Sequence, residues 1–229
     1  MAQTGVVIVA GGVGHRMGSS MPKQFMMLGN SPILVHTINR MREALPAAEI
    51  VVVLPEEYIA LWKNLSARFD VAVHRVVAGG KERFHSVKAG IAALSDDVRY
   101  IAVHDGVRPL VSKKLIIRLV LAAETHPVVV PAIAPVDSCR QANGESSTII
   151  DRASLRFVQT PQVFQAEVLR RAYEQDFTTK FTDDASVAEA AGYTVYLSEG
   201  ERTNIKITTP EDMIFAKAIL FTEDADIQI

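Results

Sequence analysis

Short apolar runs rich in β-branched residues recur along the chain, separated by segments whose apolar positions fall at helical spacing. Residues 6–10, 50–54, 71–77, 100–103 and 128–133 predict buried strands, each bounded by turn-forming residues. Residues 33–41, 58–69, 83–94 and 115–123 predict the helices between them. Ser31-Pro32 predicts a helix start, with Ser31 as cap and Pro32 in the first helical position. This alternation predicts an α/β fold, a doubly wound, mostly parallel sheet with right-handed crossovers. Ligands are then expected at the carboxyl ends of the strands. With no repeat and no low-complexity linker, a single domain over residues 1–229 is expected.

Two stretches break the rhythm. Residues 12–30 form a long segment without a period, and loops of that length in compact domains are usually functional. Residues 135–161 begin at Pro135, turn at Asn143-Gly144 and carry short strand-like runs at 148–150 and 157–160. They predict a β-arm that protrudes from the main sheet. Such an arm has few neighbours within one chain, so packing against a second subunit is favoured over a meander folded onto its own domain. Beyond it, helices are expected at 166–174 and 184–191 and a strand at 193–197. A last helix is capped by Thr209, with Pro210 and Asp212 in its first turn, before an acidic tail at 223–229 expected to fray.

Composition narrows the class. With 229 residues, 48% hydrophobic and 22% charged, the chain can build a sizeable core. Its formal charge of −2 argues against a dedicated nucleic-acid binder. Cys139 is the only cysteine, so no internal disulfide can form and a reducing compartment fits. Without a signal-like start or a membrane-length apolar run, a cytoplasmic protein with no membrane partner is expected.

The chemistry concentrates near the first strand. Its apolar run stops at Gly11-Gly12-Val13-Gly14, and Arg16 and Lys23 follow in the loop. No Asp or Glu occurs from Met1 to Arg42, whereas Arg16, Lys23, Arg40 and Arg42 are positive. Backbone N–H groups at a Gly-rich turn beside fixed cations suit a polyphosphate. The dinucleotide fingerprint lacks its third glycine, and no acid ends the second strand. Met17-Gly18-Ser19 supplies no Walker lysine. A nucleoside triphosphate along a long cationic loop remains.

Gly-Gly-x-Gly-x-Arg-Met followed by Pro-Lys resembles nucleotidyltransferases that activate small phosphorylated metabolites. Further segments are similar to one family among them: Ala78-Gly-Gly-Lys-Glu-Arg-Phe-His-Ser-Val87, His104-Asp-Gly-Val-Arg-Pro109, Asp151-Arg152, Gln159-Thr-Pro-Gln162, Thr182-Asp-Asp-Ala-Ser186 and Asn204-Ile-Lys-Ile-Thr-Thr-Pro-Glu-Asp212. Together they resemble the 2-C-methyl-D-erythritol 4-phosphate cytidylyltransferases of non-mevalonate isoprenoid synthesis. The resemblance spans essentially the whole chain, in order. A ribitol-5-phosphate cytidylyltransferase shares the glycine loop, Pro-Lys-Gln and Asn-Ile-Lys, and stands as the alternative. A non-catalytic nucleotide-binding module need not keep Arg16, Lys23 and Lys206 together.

The resemblance implies roles residue by residue. Arg16, Lys23 and Lys206 would stabilise charge at the reacting phosphates, with Lys206 on the strand before the last helix. Ala10, Gly11, Gly12, Gly14, Gly80, Arg83, Ser86 and Gly106 would hold CTP, the base facing Ala10, Gly11, Gly80 and Ser86 and the ribose lying near Gly106. Asp105, Arg108, Ser138, Arg152, Thr160 and Thr182 would meet the polyol phosphate, Arg152 and Thr160 being delivered by the arm to a neighbouring subunit's Asp105 and Lys206. Mg2+ would be held mainly through CTP phosphates, with Asp105 as a candidate ligand. His104 reads as a structural strand-end residue rather than a base. Lys81, Gly106 and Ser138 depart from the residues common in the family, where an acid, alanine and threonine are usual.

Overall fold

The computed structural model describes residues 3–12 and 21–224. β1 (Thr4–Val9) is sided by alternation: Val6 and Ile8 enter one apolar cluster, and Val7 enters the cluster on the opposite face. After a 3-10 turn at Lys23–Phe25, β2 (Met27–Leu28) and β3 (Ser31–Pro32) pair as a small antiparallel ribbon. α1 (Ile33–Ala44) leads to β4 (Glu49–Leu54), α2 (Glu56–Ser66) to β5 (Arg75–Ala78), and α3 (Arg83–Ala92) to β6 (Tyr100–Asp105). These strands lie parallel in the order β5-β4-β1-β6, the first half of a doubly wound sheet.

α4 (Lys113–Ala122) is capped by the Ser112 hydroxyl and leads to β7 (Val128–Ile133). β8 (Cys139–Asn143) and β9 (Ser146–Ile150) then pair with each other as a separate two-stranded sheet, turning at Gly144 with φ 63°. β10 (Phe157–Val158) and β11 (Gln162–Gln165) return antiparallel along β7, and β11 also fills the gap between β7 and β6. α5 (Ala166–Ala172) and α6 (Asp184–Ala190) precede β12 (Val195–Glu199), which runs parallel to β7. The main sheet thus has eight strands and is closed by α7 (Pro210–Asp224) packing over a third apolar cluster. Among the described residues no helix is long and apolar enough to cross a membrane.

Three expectations need correction, and one strand is added. Ser31 is no helix cap: it pairs in the ribbon, and Pro32 itself occupies the cap position without a side-chain bond. β5 begins at Arg75 rather than at residue 71. The backbone before it is satisfied by α1 side chains instead of a ladder: Asn39 bonds both Asp70 and Ala72, and Arg42 donates to Val73. The segment at 157–160 does not belong to a protruding arm, because Phe157 and Val158 rejoin the main sheet and Gln159 and Thr160 are buried. β11, a central antiparallel strand, was not expected at all.

Two close contacts tie this frame to the strand ends. Gly90 lets α3 lie against the sheet: a Cβ there would stand 2.4 Å from Val7 Cγ1 and 2.9 Å from Val53 Cγ2. At the end of β6, His104 is fully buried between Thr160 and Arg108. The Arg108 carbonyl can only accept, so His104 Nε2 carries the proton, and Nδ1 accepts from the Thr160 hydroxyl at 3.0 Å. That same hydroxyl accepts from the Asp105 N–H, also at 3.0 Å. Burial, only partly opposed by Asp105, pushes the His104 imidazole down to about 4.

Gly90→Ala is expected to lower stability by about 1–3 kcal/mol, because overpacking two β-branched neighbours outweighs the gain of about 1 kcal/mol in helix propensity. A urea midpoint at or above the parent's would contradict this. His104 binds its proton more readily unfolded than folded, so it makes stability fall as pH drops below about 6.5. Roughly 2 kcal/mol should be lost to this group between pH 7 and pH 5. His104→Asn should flatten the slope in urea titrations across that interval, and an unchanged slope would show that His104 is not its source.

Candidate functional site

From β1 the chain steps to β4 and β5 on one side, then returns through α3 to β6 on the other. The connections diverge beyond the register pair Val9 and Asp105, and that divergence leaves a crevice at the carboxyl edge. A cavity of about 350 Å³ opens there, large enough for a small ligand. Its floor is an extension of the sheet. Ala10 N–H donates to Val53 O, Gly106 N–H to Val9 O and Gly79 N–H to Leu54 O, at 2.9, 2.9 and 2.8 Å.

One wall is the turn between β5 and α3. Ser86, in the first turns of α3, accepts from Gly80 N–H at 3.2 Å and donates to Glu82 O at 3.2 Å. The turn is compact: a Cβ on Gly80 would stand 2.4 Å from His85 Cβ, and one on Gly79 would stand 2.7 Å from Ser86 Oγ. The opposite wall carries Lys23 and buried Gln24, whose amide donates to Ala10 O at 2.7 Å. Phe25, in the same turn, stacks on the fully buried Trp62, which fixes the base of this wall to α2.

Charge converges at the far end. Asp105 is 8% exposed and faces Lys206 Nζ at 3.1 Å, Arg108 Nε at 3.3 Å and Arg83 Nη2 at 3.9 Å. Burial would raise its carboxyl, but Lys206, Arg83 and Arg108 outweigh that and hold it well below the usual carboxylate range. Arg83 is anchored in turn by a bidentate pair with Asp184, at 2.8 and 2.6 Å. Burial disfavours its charge, yet Asp184 and Asp105 raise its pKa above the ordinary value. Lys206 keeps nearly half of its side chain exposed to the cavity mouth.

Of the residues singled out from sequence, Ala10, Gly11, Gly12, Lys23, Gly80, Arg83, Ser86, Asp105 and Lys206 line this one cavity. Arg108 stands behind Asp105 and donates to Asn204 O at 2.8 Å. Gly106 is buried against Ala10, where a Cβ would come to 2.8 Å, and does not line the cavity. Gly14 and Arg16 lie outside the described residues. Ser138, Arg152 and Thr182 are exposed and none lines the cavity. Lys206 sits in an irregular segment, not on a strand, held where Ile207 N–H meets Val107 O. Thr160 is not an arm residue reaching a neighbour's Asp105: its buried hydroxyl bonds Asp105 of its own chain. Gln24, Gly79 and Thr208 also line the cavity and were not picked out. Gln24 had a signal, a polar residue beside Lys23 within the long aperiodic segment.

The donor set bears on a divalent cation. Among the described residues no group of three or more His, Cys, Asp or Glu could cage one. Asp105 and Glu82 are the carboxylates on the cavity, and Asp105 is already surrounded by cations. These residues fit an ion held chiefly by phosphate oxygens and water, as Mg2+ commonly is.

The profile of the 2-C-methyl-D-erythritol 4-phosphate cytidylyltransferase family matches residues 4–222. A protein of that name from Bacteroides thetaiotaomicron is 47% identical over 216 residues, covering 94% of this chain and 98% of the relative. Another from Porphyromonas gingivalis is 45% identical, covering 93% and 96%. The crystal structure of 4-diphosphocytidyl-2C-methyl-D-erythritol synthase from Anaerococcus prevotii superposes with a TM-score of 0.81 at 28% identity, covering 96% of both chains. The Thermus thermophilus 2-C-methyl-D-erythritol 4-phosphate cytidylyltransferase gives 0.76 at 31% identity, covering 93% of this chain and 97% of that one. With its sequence and its fold agreeing over nearly their full length, this chain belongs to the 2-C-methyl-D-erythritol 4-phosphate cytidylyltransferase family.

Proposed function

We propose that this chain transfers CMP from CTP to 2-C-methyl-D-erythritol 4-phosphate, forming 4-diphosphocytidyl-2-C-methyl-D-erythritol and pyrophosphate. The observation that carries the reading is the cavity at the crossover of β1 and β6, with a glycine-walled end and a cationic end. A phosphate oxygen of the polyol substrate attacks the α-phosphorus of CTP. A new P–O bond forms there as the bond to the bridging oxygen of the β-phosphate breaks, and pyrophosphate leaves with the electron pair. The nucleophile is already an anion, so the task is to bring two polyanions together and stabilise the charge at the α-phosphate.

The division of labour follows from the walls. The turn at Gly79-Gly80 with Ser86, and the backbone at Ala10 and Gly11, present polar groups to the edge of a base. Lys23 borders the triphosphate path, and Arg16 would join it from the loop. Lys206 is held at the polyol side by its pair with Asp105. Lys81 stands exposed on the cavity rim and adds a further cation there. Bound Mg2+ would neutralise phosphate charge and polarise the α-phosphate, held by the triphosphate with Asp105 as the buried carboxylate nearby.

The assembly we propose is a homodimer. Val136, just before the β8–β9 hairpin, and Ile149 within it are exposed at 58% and 77%, within three residues of Ser138 and Arg152 respectively. An isolated two-stranded hairpin is marginal in water and gains from a partner surface. Twofold pairing would carry Ser138 and Arg152 to the polyol end of a neighbouring cavity.

Pyrophosphate release with CTP should be fast with 2-C-methyl-D-erythritol 4-phosphate and slow with ribitol 5-phosphate, and the reverse order would overturn the substrate assignment. In the same assay Lys23→Ala and Lys206→Ala should each lower kcat by roughly 100-fold, Lys23→Ala with stability little changed and Lys206→Ala with some stability lost, because buried Asp105 is left with one cation fewer. Near-normal kcat at saturating substrates would remove that lysine from the reaction. Mixing Arg152→Ala with Lys23→Ala chains should restore part of the activity, since one hybrid site carries neither lesion. Heterodimers confirmed by tagged-chain pull-down yet inactive would mean that each site is built from one chain.

A further inference from the structure

We propose that Asp184 is a positioning residue for the transfer reaction: its bidentate grip on Arg83 keeps that guanidinium from capturing Asp105, leaving Asp105 to hold Lys206. This rests on the reading of the cavity given above.

Asp184 opens α6 and is fully buried. It accepts from Arg83 Nη1 and Nη2 at 2.8 and 2.6 Å and from the Tyr173 hydroxyl at 2.6 Å. The same Nη2 stands 3.9 Å from Asp105 Oδ1, so one guanidinium faces two buried carboxylates. A planar fork engages one carboxylate at full strength, and here Asp184 holds it. Lys206 and Arg108 meanwhile share the other oxygen of Asp105, Oδ2, at 3.1 and 3.3 Å.

Asp184 keeps its place independently of Arg83. The α6 start is closed by a capping box between Asp183 and Ser186. Gln162, buried in β11, donates to Asp183 Oδ2 at 2.7 Å and accepts from Ala185 N–H at 2.8 Å. On the α3 side, Phe84 stacks on Tyr173 and Phe181, with ring centroids 4.7 and 5.6 Å apart. The carboxylate is thus fixed to the central sheet, and the arginine is the part that can swing. With Asp184 neutral, Arg83 would close its fork across both oxygens of Asp105 and compete with Lys206 for Oδ2.

The test compares Asp184→Asn, Arg83→Lys, Arg83→Gln, the double variants of Asp184→Asn with each Arg83 substitution, and Tyr173→Phe with the parent, in pyrophosphate release from CTP and 2-C-methyl-D-erythritol 4-phosphate. Asp184→Asn should lower kcat about tenfold or more with the KM for CTP nearly unchanged. Arg83→Lys keeps a cation opposite Asp184 but has no fork to close on Asp105, so adding Asp184→Asn to it should lower kcat far less than Asp184→Asn lowers the parent's, whatever Arg83→Lys itself does to the KM for CTP. The Asp184→Asn/Arg83→Gln double variant should be no slower than Arg83→Gln alone, because Asp184 acts through Arg83. Tyr173→Phe removes the other partner of Asp184 and should lower the melting temperature without changing kcat, which separates positioning from packing. Effects that multiply in the Asp184→Asn/Arg83→Gln double variant, or an Asp184→Asn loss as large in the Arg83→Lys background as in the parent, would overturn the proposal. A parent that turns over neither substrate pair overturns the assigned reaction and this proposal together, whereas an active parent with indifferent variants overturns this proposal alone.

Discussion

A buried carboxylate has to be neutralised by its neighbours, and the active end of this protein is arranged around meeting that demand for Asp105. The residue ends a strand buried on both faces, where an unpaired negative charge would cost several kcal/mol. Three cations answer it, each from a different part of the chain: Arg83 at the start of α3, Arg108 in the loop after β6, and Lys206 in the segment before α7. Segments separated by more than a hundred residues in sequence are thereby gathered at one point. The resulting site is rich in positive charge although the chain as a whole is slightly acidic.

Each of those cations is itself restrained, and the restraints share members. Arg108 donates to the carbonyl of Asn204, which also receives a bond from Gln159, while the Asn204 amide donates to Thr160 O at 2.9 Å. Gln159 reaches Glu201, and Glu201 accepts from the Ser112 hydroxyl that caps α4. One polar seam therefore joins the last antiparallel strands to the segment that carries Lys206. Buried polar groups of this kind stabilise only when their bonds are made together, so the seam favours a single arrangement.

The parallel half of the sheet was legible because β1, β4 and β6 are buried on both faces and read as continuous β-branched runs. The glycine turn and its lysine were legible for a related reason: charge and glycine break that run abruptly. What escaped reading depends on partners distant in sequence. β11 offers four residues, Gln-Val-Phe-Gln, and becomes a central strand only because β6 and β7 stand on either side of it. Ser31 has the composition of a cap but is drawn into a ribbon with Leu28. The backbone at 70–73 looks like a strand, yet Asn39 and Arg42 satisfy it from α1. Arg83 carries no local sign that its partner is Asp184, 101 residues away.

The chain contains one tryptophan, and its location gives the protein a built-in optical label. Trp62 is wholly shielded from water, lies nearly flat against Phe25 at 5.9 Å and 17°, and donates its indole N–H to His74 at 3.0 Å. Phe25 belongs to the same short turn as Lys23. Any motion of that turn alters the packing and polarity around the only indole in the molecule. Ultraviolet emission from unmodified protein thus reads out the state of the lysine wall directly, with no dye, tag or engineered chromophore.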